Sequence, residues 1–174
     1  MLGDMPLTSV FHSVAGLILL ALGFRALTVR KAATSGHTVI GEVYFWLLTL
    51  TLGSAMLVGM RDPAISPFEI ATPPTFAAGL LGYVLAKRRP SGWLRWHIVG
   101  QAVSYIGVVT AFGFQVFPRF LPDDPWLVLA YWTVPALVGN ALIFRTMRRW
   151  SRRIEASKRP ASTGLPVSAP INRR

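Results

Sequence analysis

Charged residues divide the chain into five uninterrupted apolar stretches: Pro6 to Phe24, Val43 to Met60, Ile70 to Ala86, Trp96 to Pro118 and Pro125 to Phe144. A helix needs about 20 apolar residues to cross a bilayer's hydrocarbon, with a range of about 17–25. The pattern therefore predicts an all-α integral membrane bundle of five transmembrane helices, over about residues 7–27, 40–60, 70–86, 96–118 and 125–145. Connections this short make consecutive helices antiparallel neighbours and leave no room for a soluble domain. The third stretch is the shortest, and Pro73 and Pro74 near its start are expected in the first turn or at a kink.

Beyond the fifth stretch, F-R-T-M-R-R-W-S-R-R-I keeps a helical period. Arg145, Arg148, Arg149, Arg152 and Arg153 fall on one face, and Met147, Trp150 and Ile154 on the other. This predicts an amphipathic basic extension over residues 145–157 that suits anionic lipid headgroups. The closing run K-R-P-A-S-T-G-L-P-V-S-A-P-I-N-R-R, residues 158–174, is rich in turn formers and has no period. It is expected to be a disordered cytoplasmic tail.

Composition supports the lipid reading, because only 14% of residues are charged where a soluble domain carries about 25%. The net charge of +11 raises the question of nucleic acid, which its distribution answers. Arg25, Arg30 and Lys31 follow the first span. Lys87, Arg88, Arg89 and Arg95 lie between the third and fourth, and nine more basic residues follow the fifth. Only Arg61 and Arg119 of the 18 basic residues fall in the alternate connections. The positive-inside rule then sets the N-terminus outside and the C-terminus inside, the parity that five spans require. The expected location is a bacterial cytoplasmic (inner) membrane, with lipid as partner, homo- or hetero-oligomers open, and no nucleic acid. The acidic start lacks the basic n-region of a signal peptide, so the first span reads as an anchor. With no cysteine, disulfides, thiolate metal sites and a Cys nucleophile are excluded. Trp93 and Trp96 on the inner side, and Trp126 and Tyr131 on the outer, are placed as interfacial anchors.

Candidate chemistry rests on few residues. His12, His37 and His97 are each followed three or four residues later by glycine. On the fourth span His97, Gly100, Ser104, Gly107 and Ala111 form one stripe, and on the second His37, Gly41, Tyr44, Leu48, Ala55 and Gly59 form another. Small residues bring helix backbones close inside a membrane, so both histidines are expected to face other helices. They share a depth, and each begins a helix, where the dipole disfavours imidazolium and favours the ligating neutral ring. An inter-helix bis-histidine site for haem b or another metal follows as one reading; hydrogen bonds to backbone or lipid headgroups are the plainer one. His12 has no second ligand at its depth. Glu42, about one turn inside the apolar boundary, is either an ion-pair residue neutralised by Arg25, Lys31 or Arg95, or a proton site of a small transporter. Gln101 and Asn140 are expected in interhelical hydrogen bonds. No phosphate loop or Ser-His-Asp grouping is present, so a non-enzymatic membrane subunit is the leading expectation.

H-T-V-I-G-E-V-Y, then W-L-R-W-H-I-V-G-Q-A-V-S-Y and A-Y-W-x-V-P-x-L-x-x-N, resemble a family of small bacterial multi-pass membrane proteins of unknown function. The resemblance runs from about His12 to Asn140 and implies a helical membrane bundle without implying an activity. The chain departs from that pattern at Glu42, where a basic residue is usual, and in the order of Trp96 and His97. A looser likeness to transmembrane di-haem cytochromes stops at ligand number, since those proteins use two histidine pairs and this chain supplies at most one.

Overall fold

The computed structural model describes residues 7–29, 36–60, 67–117, 120 and 124–158, and all five elements in them are α-helices: α1 (Leu7–Thr28), α2 (His37–Gly59), α3 (Pro67–Arg88), α4 (Trp93–Val116) and α5 (Pro125–Lys158). The expected tail lies outside these residues except for Lys158, as do Arg30, Lys31, Arg61 and Arg119. Four helices, α1, α2, α4 and the part of α5 up to Arg149, are long and apolar enough to cross a membrane. The third helix matches them in length but carries Glu69 in its first turn and Lys87 and Arg88 in its last.

Helix ends follow local chemistry. The Asp124 carboxylate accepts the Trp126 amide at 2.8 Å, and Pro125 supplies a first residue whose missing N–H costs nothing there. The turn from α3 to α4 is closed by Arg89 and Gly92, both at positive φ (47° and 73°), around Pro90. Pro67 moves the start of α3 three residues earlier than expected, so Pro73 and Pro74 sit in its second turn instead of its first. They remove the amides that would bond the Glu69 and Ile70 carbonyls. On either side, Thr72 Oγ1 donates to Phe68 O and Thr75 Oγ1 to Ala71 O, both at 2.7 Å. The fifth helix is one continuous rod, so the span and basic extension expected from sequence belong to a single element.

The first four helices form a ring, with α1 on α2, α2 on α3, α3 on α4 and α4 back on α1. The second and fourth face each other diagonally across it. Leu19, Tyr44, Leu48 and Val108 fill the centre. The closest approach is a seam between α3 and α4: a methyl group on Gly100 would lie 2.5 Å from Ala78 O and 2.9 Å from Gly82 N. Gly107 packs against the Thr75 side chain and Gly79 against Leu48 and Ser104. The stripe read on the fourth helix thus works against glycines of the third. Among the described residues α5 packs on α4 alone, through Phe114 with Trp132 (ring centroids 4.7 Å) and Phe117 stacked on Tyr131 (5.1 Å). Tyr131 is therefore a packing residue, and of the two expected outer anchors only Trp126 stands exposed, at 77%.

Gly100→Ala sets a methyl group against backbone that cannot swing aside, an overpacking cost of about 1–3 kcal/mol. Its apparent melting temperature in detergent should fall by several degrees, whereas Gly53→Ala, with nothing within 4 Å of the new methyl, should leave it unchanged or raised.

Candidate functional site

Side-chain hydrogen bonds tie the ring at every contact. Where α1 meets α2, His12 Nδ1 lies 3.1 Å from both Thr51 O and Ser54 Oγ, so this histidine, expected to lack a second ligand, spends its nitrogen on helix packing. Tyr105 donates to Leu20 O at 3.1 Å, joining α4 to α1. Tyr44 and Ser104 share a hydrogen bond of 3.2 Å across the diagonal. Gln101 Nε2 donates to Gly79 O at 3.0 Å, the interhelical role expected of it. Inside a bilayer such bonds contribute about 0.6–2 kcal/mol each.

One end of the ring gathers the candidate chemistry. His37 opens α2, His97 lies in the second turn of α4, and their ring centroids are 6.5 Å apart with planes at 86°. Their meeting follows from the diagonal register. Each histidine stands seven residues before a partner of the Tyr44–Ser104 bond, so each presents the same face about 10 Å further along its helix. His97 Nδ1 lies 2.9 Å from Gly82 O. A carbonyl only accepts, so Nδ1 carries the proton, and in the neutral ring Nε2 keeps its lone pair. Gly82 is what admits this contact, because a side chain there would collide with Gln101. Trp93 packs beside His97, with centroids 5.8 Å apart.

Glu42 lies at the same end and joins α2 to α3. Its carboxylate accepts Lys87 Nζ at 2.7 Å and the Tyr83 hydroxyl at 2.6 Å. Of the expected partners Lys31 lies outside the described residues, and the ion pair seen is made by a lysine from the neighbouring helix, one turn beyond Tyr83, instead of Arg25 or Arg95. Phe45 stacks on the Tyr83 ring at 3.9 Å and holds the phenol in place. Sequence reading missed Lys87 and Tyr83 because it assigned partners by depth alone and had no helix order within the ring.

Two features lie on α5. A groove of about 320 Å³ runs between α3 and α5 over α4, with Ala71, Gly107, Ala111 and Ala136 among its lining and Asn140 on its wall. The Asn140 amide donates to Ala136 O of its own helix at 2.8 Å, so the interhelical bond expected of it is not made within the ring. Nearer the basic end, Arg145, Arg148, Arg149 and Arg152 line a second groove of about 290 Å³, with Arg148 4.7 Å from the Phe144 ring. Among the described residues no three His, Cys, Asp or Glu side chains converge on one point. No protein-family model, curated protein or solved structure shows significant similarity to the chain.

The Glu42–Lys87 pair is testable by charge reversal. Lys87→Glu should lower the apparent melting temperature more than Lys87→Met does, and adding Glu42→Lys should recover much of the difference; additive losses would show that the pair does not couple α2 to α3.

Proposed function

We propose that the chain is a five-span protein of a bacterial cytoplasmic membrane, N-terminus out and C-terminus in, that serves as a non-catalytic subunit and assembles through its fifth helix. The apolar lengths of α1, α2, α4 and α5 support the membrane setting. The third helix is argued in by its neighbours: it lies along α4 in a backbone-close seam, so the two share the same depth. Arg25, Lys87, Arg88, Arg95 and the arginines of α5 lie at helix ends that the antiparallel order brings to one side, which supports the orientation. The groove lined by the four arginines suits an anionic lipid headgroup at that level.

The observation that carries assembly is the state of α5. None of its described side chains is buried, and Thr133 and Asn140 are exposed within its apolar length. They stand seven residues apart, on one stripe with Leu137. A carboxamide facing hydrocarbon keeps an unused acceptor and a second N–H, and a partner helix relieves that cost. An amide both donates and accepts, so Asn140 of a second copy is a self-complementary partner about a two-fold axis.

Two measurements test the reading. Single cysteines at Arg89 and Asp124 in this cysteine-free chain should react with an impermeant reagent from opposite sides of the membrane; same-side labelling overturns the topology. For assembly, Leu137→Cys should yield disulfide-linked dimers in native membranes, and Asn140→Leu should weaken self-association about 3- to 30-fold, the equivalent of one such hydrogen bond. A chain that stays monomeric in bilayers at every protein-to-lipid ratio sinks the self-association.

A further inference from the structure

We propose that His37 and His97 are the two protein ligands of one transition-metal centre held at the basic end of the ring. Two imidazoles on opposite sides of one metal atom have centroids roughly 6.3 Å apart, from metal–nitrogen bonds of about 2.0–2.1 Å and the depth of each ring. The observed separation is 6.5 Å. The two side chains come from helices on opposite corners of the ring, and the register set where Tyr44 meets Ser104 brings them to this distance.

Tautomer chemistry points the same way. A ligating histidine characteristically donates its second ring N–H to a carbonyl or carboxylate, which fixes the ring and raises the basicity of the ligating nitrogen. His97 makes that bond to Gly82 O, which places the proton on Nδ1 and makes Nε2 the basic nitrogen of the neutral ring. Gly41 lies one turn from His37, and nothing stands within 4 Å of where its side chain would begin, so no neighbouring helix crowds that position.

Ligand number narrows the class. Imidazole suits iron, copper, zinc and nickel, but a bare ion in a structural site usually takes four protein donors. Two histidines, with no larger cluster among the described residues, fit a centre that brings its remaining ligands with it. Haem, whose macrocycle fills four positions and leaves two axial ones, is that chemistry. A two-coordinate copper ion is the other source of the same imidazole–metal bond.

The test uses the full chain, purified in mild detergent from cells supplied with haem precursor, read by visible spectrum and by elemental analysis of bound metal. About one metal atom per chain is expected, falling at least tenfold in His37→Ala and in His97→Ala, and retained in Glu42→Gln. A Soret band with sharp reduced bands identifies haem; stoichiometric copper without such bands identifies the ion. Because His97→Ala also removes a packing bond, His37→Met provides a second variant: it keeps a ligand of different chemistry and should shift the metal's spectrum while the helical circular dichroism is unchanged. A folded wild-type chain with less than 0.1 metal atoms per chain, or metal content unaffected by removing both histidines, overturns the proposal.

Discussion

The close approach of α3 to α4 is the constraint on which the rest of the structure depends. Gly100 sits against the Ala78 carbonyl and the Gly82 backbone, a distance that exists only because neither glycine carries a side chain. Inside a membrane apolar burial does not draw helices together, since lipid offers the same contacts, so packing and hydrogen bonds must do it. The glycine seam supplies both. It allows dispersion contact between backbones, and it exposes the Gly79 and Gly82 carbonyls to Gln101 and His97, which would not reach them across bulkier residues. One geometric choice therefore fixes helix separation, helix register and the tautomer of a histidine.

From that seam the ring is set by polar ties on each side. With α4 locked to α3, Tyr105 reaches Leu20 O on α1, and Ser104 reaches Tyr44 on α2. Tyr83 and Lys87 then meet Glu42 from α3. Each bond is modest, but in hydrocarbon the alternative is an unsatisfied polar group, so together they select one arrangement of four helices among many that would bury similar apolar surface. The histidine pair and the Glu42 cluster lie at the same end because both are consequences of this register.

Much of this was legible in the sequence, for identifiable reasons. Charge-free runs locate apolar helices because a charge in hydrocarbon is costly, and the observed elements agree with the expected spans to within a few residues at most ends. The exceptions are ends set by local chemistry: Pro67 starts α3 early, and Trp93 begins α4 as soon as Gly92 supplies a left-handed turn. That His37 and His97 lie at one level followed from shared depth, whereas their meeting depends on the diagonal register of Tyr44 and Ser104, which the small-residue stripes do not set. Partners across the ring were not legible, because depth alone does not say which helix stands beside which. Glu42 pairs with Lys87, which level alone did not single out, and Asn140, read as an interhelical bond, turns back onto Ala136.

Asn140 also marks where the ring stops explaining the chain. His12, Glu42, Tyr44, Gln101, His97 and Tyr105 each serve a neighbouring helix of the ring, whereas α5 meets α4 through aromatic faces and small apolar residues. An exposed asparagine on the groove wall is a polar group within an apolar length of helix, and leucine there would be cheaper. The polar ties of the ring thus stop at α4, and α5, continuous from its Asp124 cap into the row of arginines, is held among the described residues by its apolar contact with α4 alone.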